Sequence, residues 1–130
     1  TQHECTFVFA GPDGWPSGVV MNFVHEDDRL WLTAVEGRTH VVALDRDPRV
    51  SVVVSSAGTA LRGRRMVTLR GVGTVHRDRT VIDHWLDVFA RRWRADAPLE
   101  FRRALDTPRR VVIEVAELRV AVSHDHRRLG

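Results

Sequence analysis

Between Val19 and Val54 the backbone must change direction several times within a short span, and this limits the folds open to the chain. Two apolar, β-branched runs meet at Glu26-Asp27-Asp28, an acidic hairpin turn. Gly37-Arg38-Thr39-His40 then opens a short helix, with Val41, Val42 and Leu44 at helical spacing. Asp47-Pro48 stops it, because the residue before a proline is pushed out of the α region. A β-branched strand follows at once from Arg49. This layout brings together a strand edge, the Thr33 hydroxyl and a basic helix N-terminus, a corner able to hold a phosphate.

The rest of the chain continues the β pattern. Glu4 to Ala10 reads as a strand, Gly11-Pro12-Asp13-Gly14 as a turn, and Pro16 to Val24 as one strand. Arg29 to Ala34 and Arg49 to Ser56 are strands, the second apolar enough to suggest burial on both faces. A loop is expected from Ala57 to Arg64, then a strand from Met66 to His76 in which Gly71 and Gly73 mark a bulge or a close backbone approach.

Asp78 is placed to cap a helix from Arg79 to about Ala95. Val81, Trp85, Val88, Phe89 and Trp93 form its apolar stripe, while Asp83, Asp87, Arg91 and Arg94 face water and Asp87 pairs with Arg91 at i,i+4. A second helical piece, Leu99 to Leu105, precedes Pro108, and Arg110 to Val115 with Arg119 to Ser123 reads as a closing hairpin. The expected fold is mainly β with helical insertions: one domain, residues 1–130, forming a small barrel of six or seven strands, Greek-key-like, with the helices outside.

Composition narrows the functional classes. The chain has 20 basic residues against 17 acidic, a formal net charge of +3. All the basic residues are arginine and there is no tyrosine, so little titrates above the histidines and a small excess of charge is enough to give a high isoelectric point. The arginines around Arg91-Arg92-Trp93-Arg94, Arg102-Arg103 and Arg109-Arg110 are interleaved with acids, so no nucleic-acid face is expected. No apolar run is long enough for a membrane-spanning helix, and the N-terminus lacks the basic-then-apolar pattern of a secretory signal. A chain that opens almost directly in a strand is consistent with a trimmed N-terminus. Cys5 is the lone cysteine, which excludes an internal disulfide and a cysteine-rich metal site; a cytoplasmic location is expected.

Each candidate site has a plainer account. From Gly37-Arg38-Thr39-His40 alone, Thr39 capping the helix and Arg38 standing in solvent suffices. Asn22 and Thr33 could each bond a ligand across a sheet face, or simply face water. His124-Asp125-His126 has two imidazoles but no third ligand at metal spacing, so no metal is expected. Trp85 and Trp93 belong to the helix core stripe; Trp15 and Trp31 could wall a cofactor ring, with packing the simpler role. No nucleophile elbow, Walker loop or dinucleotide fingerprint is present.

Taken in order, four segments resemble the pyridoxamine 5′-phosphate oxidase-like proteins, flavin-binding split β-barrels that include deazaflavin-dependent reductases. Asp13-Gly14-Trp15-Pro16 is similar to the family's turn between its first strands, and Leu30-Trp31-Leu32-Thr33 to its strand ending in a hydroxyl. Leu44-Asp45-Arg46-Asp47-Pro48-Arg49-Val50-Ser51 is close to its L-x-x-D-P-R-V-S segment, and Val67-Thr68-Leu69-Arg70-Gly71 to its V-x-V-x-G strand. The resemblance runs from Asp13 to about Arg128.

It implies a homodimeric split barrel that binds FMN between subunits and acts as an oxidoreductase on a small molecule. Val20, Met21 and Asn22 would line the flavin, Thr33 and Ala34 would lie near the ribityl chain and phosphate, Arg38, Thr39 and His40 would close around the phosphate, and Met66 would face the ring. The alternatives are the 8-hydroxy-5-deazaflavin coenzyme in the same fold, or a flavin- or haem-binding module without turnover. Asn22 stands where the oxidase pattern has lysine, Ser17 where it has arginine, and His40 where it has a phosphate-binding lysine; oxidation of pyridoxamine phosphate itself is not expected.

Overall fold

The structure is a computed structural model that describes residues 4–55 and 65–125. Seven antiparallel strands form one sheet: β1 (Glu4–Ala10), β2 (Pro16–Asn22), β3 (Val24–Glu26), β4 (Arg29–Val35), β5 (Arg49–Ser55), β6 (Arg65–His76) and β7 (Arg110–Asp125), in the order β2-β1-β5-β6-β7-β4-β3. Helix α1 (Thr39–Arg46) connects β4 to β5, while α2 (Arg79–Trp93) and α3 (Pro98–Leu105) lie between β6 and β7. The two edge strands, β2 and β3, are consecutive in the chain and separated only by Phe23. That single-residue link draws the two edges of the sheet together, so the sheet curls into a half-barrel.

The turns follow their side chains. Asp27 and Asp28 both adopt positive φ, 58° and 57°, the left-handed pair that a two-residue hairpin requires and that aspartate tolerates. Asp47 ends α1 in an extended conformation, and its carboxylate takes the Arg49 backbone N–H at 3.1 Å and the guanidinium at 3.0 and 2.9 Å. The Asp78 carboxylate accepts the Thr80 N–H at 2.8 Å and caps α2.

Gly71 and Gly73 fulfil both expected roles. A Cβ on Gly71 would stand 2.6 Å from Val115 Cγ1 and 2.7 Å from the Ala116 carbonyl oxygen, beside a register shift between Arg70 and Val72. Gly73 passes under α1, where a Cβ would meet Leu44 Cδ2 at 2.8 Å, and its N–H reaches the Pro48 carbonyl at 2.7 Å.

Two apolar layers stabilise the fold. Inside the curl lie Phe7, Phe9, Leu30, Leu32, Val50, Val52, Val111, Ile113 and Val115, with Val41 and Leu44 from α1. On the convex side α2 packs Ile82, Trp85, Leu86 and Phe89 against Trp31 and Val112. β4 and β7 are covered on both faces, hence their continuous apolar runs.

Five expectations are corrected. The strand expected from Pro16 to Val24 breaks at Phe23. β5 is buried on one face only, through Val50 and Val52, because no helix covers its other side among the described residues. The closing hairpin is one long strand: Glu117, at φ 54°, forms a bulge rather than a reversal, and both halves of β7 pair with β6. Asp87 bonds Arg102 of α3 at 2.7 Å instead of its helical neighbour Arg91. Finally, the α2 stripe is wider than expected, since Ile82 and Leu86 are buried with it. The loop expected at 57–64 and His126 lie outside the described residues.

Candidate cofactor groove

Where β2 and β4 approach the start of α1, a groove of about 370 Å³ opens, floored by the two strands and walled by Trp93, Phe101 and Leu105. Of the residues singled out from the sequence, Val20, Met21, Asn22, Thr33, Ala34, Arg38 and His40 all line it. Thr39 and Met66 do not. Thr39 is the first helical residue of α1 and is exposed; Met66 lies on β6, paired with Ser55 and His124, away from the groove of its own chain. Ser17 also stands apart, near Gly11 in the first hairpin.

The local chemistry is set by how the strands end. Residue Arg38, not Thr39, is the N-cap of α1, and no side chain caps the helix. The Arg38 carbonyl accepts the N–H groups of Val41 and Val42, both at 3.0 Å; the earlier N–H groups of Thr39 and His40 remain as donors at the positive end of the helix dipole. The His40 ring sits against Phe7 and Phe9, with centroids 6.1 and 5.9 Å away, and its Nε2 is buried with no hydrogen-bond partner. Burial, and then the charge of Arg38, lowers the His40 pKa, so the ring is neutral at pH 7. Thr33 gives its hydroxyl proton to the Val111 carbonyl at 2.8 Å, which leaves it able only to accept from a ligand.

Of the six lining residues that the sequence did not mark as site residues, Val19, Val35, Trp93, Phe101, Leu105 and Arg110, two carry specific polar anchors. Trp93 does belong to the helix stripe, stacked on Phe89 with centroids 4.4 Å apart, but it is half-buried and also faces the groove, held by a bond from its indole N–H to the Phe23 carbonyl at 3.2 Å. The break in the β2–β3 run frees that carbonyl, so the same local irregularity both closes the sheet and fixes the aromatic wall. Arg110 enters from the first position of β7, opposite Val35, with its Nε bonded to the Leu105 carbonyl at 2.6 Å. Burial lowers its pKa, and the charge of Asp106 offsets only part of that effect. The signal for Arg110 lay in its spacing behind α3, which sequence alone does not convert into a position.

Trp31 and Trp15 do not wall the groove. Trp31 is buried on the convex side and stacks on Trp85 with centroids 4.0 Å apart, whereas Trp15 is exposed in the first turn. A second depression, of about 430 Å³, lies near Val8, Pro16, Ser51 and Arg70, but its Asp47 and Arg49 satisfy one another. Among the described residues no cluster of metal-ligating side chains occurs, and no helix is long and apolar enough to cross a membrane.

The groove therefore offers two guanidiniums, helix N–H donors and an apolar floor beside the neutral His40 ring, and among the described residues no carboxylate lines it. Such a donor set fits a ligand that carries an anionic group and an apolar ring.

Comparison with known proteins agrees with this architecture. A conserved hypothetical protein from Mycobacterium tuberculosis superposes with a TM-score of 0.79 at 24% identity, over 100% of this chain and 81% of that one. The haem storage protein HutZ of Vibrio cholerae gives 0.71 at 14% identity, over 92% and 86% of the two chains. An FAD-binding protein of Mesorhizobium loti gives 0.65 at 21% identity, over 91% and 84%. No curated protein matches the chain in sequence. The family model described as pyridoxamine 5′-phosphate oxidase matches residues 2–122, and the chain belongs to that family.

Proposed function

We propose that the protein is a flavin-dependent oxidoreductase that binds FMN in this groove, at the interface of a homodimer, and acts on a small-molecule substrate. The observation that carries the reading is the composition of the groove: Arg38 and the start of α1 supply donors for a phosphate, while Val20, Met21 and Ala34 offer an apolar strand surface to a ring. Bound FMN would supply hydride transfer at its N5. The chain's own residues bind and orient it. Arg38 and the N–H groups of Thr39 and His40 hold the phosphate, and Thr33 accepts from the ribityl chain. Trp93 and Phe101, edge to face at 6.4 Å, exclude water from one side. Met66 lies outside the groove of its own chain, so a role beside the ring calls for a second copy. The cytoplasm is the proposed compartment, with neither nucleic acid nor membrane as partner.

A second reading keeps the groove and exchanges FMN for the 8-hydroxy-5-deazaflavin coenzyme. It is favoured by a line of arginines leading out of the groove: Arg38 is exposed, and the Arg109 guanidinium stands over Gly37, 2.9 Å from where a Cβ would be. An acidic tail would suit that line.

Fluorescence titration with FMN and with the deazaflavin coenzyme, light scattering, and mass spectrometry of ligand released from purified protein test both readings. Arg38→Ala should weaken cofactor binding about tenfold or more, as expected for a lost hydrogen bond to a charged group. A colourless protein that binds neither coenzyme would overturn both, and a bound haem would make the chain a binding module instead.

A further inference from the structure

We propose that Arg110 is an anion-binding residue of the groove, its guanidinium held ready for a phosphate or carboxylate of the bound ligand. The inference rests on the cofactor reading above and assigns its charge recognition to a residue outside the Gly37–His40 corner.

Arg29 pairs with Glu114 at 3.0 Å, Arg77 with Glu36 at 2.9 Å, and Arg79 and Arg102 with aspartates at 2.6–3.0 Å. Arg29, Arg77 and Arg79 are about half exposed, and Arg102, the one partly buried member of this set, has three carboxylates around it. Arg110 is half-buried, and among the described residues no carboxylate comes within salt-bridge distance of it. Asp106, the acid whose charge it feels, is bound by Arg79 at 2.7 Å and by Arg102 at 2.9 Å.

A cation taken out of water without a counter-ion costs free energy in the folded state, and its pKa falls accordingly. That cost is offset when an anion enters the space the cation lines. The cation is also positioned: the Leu105 carbonyl holds Nε at 2.6 Å, which leaves the two terminal nitrogens, the pair suited to fork-like bonding of two ligand oxygens. Arg38 lines the same groove, so two cations from different elements face one ligand space that, among the described residues, no carboxylate borders.

The test compares wild type, Arg110→Gln and Arg110→Lys, using FMN and riboflavin, which differ by the phosphate alone. The wild type should prefer FMN by about tenfold or more, the value of a charge-assisted bond. Arg110→Gln should lose most of that preference while keeping its affinity for riboflavin, and Arg110→Lys should retain part of it. Because the glutamine variant removes an uncompensated charge, its melting temperature without ligand should equal or exceed that of wild type.

An unchanged FMN-to-riboflavin ratio in Arg110→Gln overturns the proposal. So does a parallel loss of both flavins together with a lower melting temperature, which would mark a purely structural residue. If wild type binds neither flavin, the cofactor reading fails and inorganic tripolyphosphate decides about Arg110. Thermal stabilisation of wild type that Arg110→Gln lacks upholds the anion site, and an equal response or none in both overturns it.

Discussion

Helix α3 forms a wall of the groove without burying a single residue, and the substitution Arg102→Ala exposes how it is held. α3 is eight residues long, its Ala97 N-cap makes no side-chain bond, and an isolated helix of that length is unstable in water. Beside the Trp93–Phe101 ring contact and the Leu105 packing, Arg102 ties α3 to α2 through Asp87 at 2.7 Å and Asp83 at 3.0 Å, while its bond to Asp106 at 2.9 Å stays within α3 and its cap. The Asp87 bond, followed by the other two, raises the Arg102 pKa, so the charge is permanent. An exposed pair contributes about 0.2–1 kcal/mol, and Asp83 and Asp87 are both roughly half exposed, so the low half of that range applies. Removing Arg102 should then lower the local opening free energy of α3 by about 1 kcal/mol in total, a roughly fivefold change in the open population. Hydrogen exchange followed by mass spectrometry should show amides of α3 exchanging about fivefold faster in Arg102→Ala, with β4 and β7 unchanged. In wild type, about 1 M salt should produce part of the same acceleration, because the Debye length shrinks to about 3 Å, near the contact distance of these bonds, and the variant should respond less. Equal exchange of α3 in the two proteins, or acceleration spread evenly over the sheet, would refute the idea that this ion cluster helps to hold the wall.

Two further outcomes follow from the packing. His40 has a folded-state pKa below its unfolded value, so the unfolded chain binds more protons in the window beneath about pH 6.5 and stability falls as the pH drops through it; His40→Phe should flatten that slope in urea titrations across pH 5–7, and an unchanged slope would show that another group is responsible. Gly71→Ala should cost more than Gly73→Ala, because the Gly71 methyl meets the Ala116 backbone oxygen at 2.7 Å whereas the Gly73 methyl meets the far end of Leu44; overpacking of this kind costs about 1–3 kcal/mol, and the reverse order in urea unfolding would contradict the geometry.

The parts of the fold that could be read in the sequence are those with local causes. Asp27-Asp28, Asp47-Pro48 and Asp78 each carry a backbone or capping preference within a few residues, and each marks an element end in the structure. The errors fall where a distant partner decides. Nothing near Phe23 announces a break, since the break exists to let β2 and β3 close the sheet and to present a carbonyl to Trp93, seventy positions away. The turn expected after Val115 fails for a similar reason: β6 continues alongside, and pairing with it keeps β7 extended through the Glu117 bulge. Asp87 follows the same rule, bonding a residue of another helix in preference to its neighbour on its own.

The groove divides along the same line. The Gly37–His40 corner could be read because strand, turn and helix N-terminus are contiguous, and the structure indeed brings Thr33, Ala34, Arg38 and His40 to one space. The aromatic wall and Arg110 could not, because each owes its position to a backbone carbonyl freed elsewhere: Phe23 for Trp93, Leu105 for Arg110. A carbonyl acceptor has no side-chain signature, so its direction cannot be read from residue types. This has a consequence for substitution. Replacing Phe23 with another apolar residue leaves its carbonyl in place and should keep Trp93 held, and replacing Leu105 should reshape only its own part of the wall while Arg110 stays held, whereas a proline at either neighbouring position would redirect the backbone and displace the wall or the cation without touching either side chain.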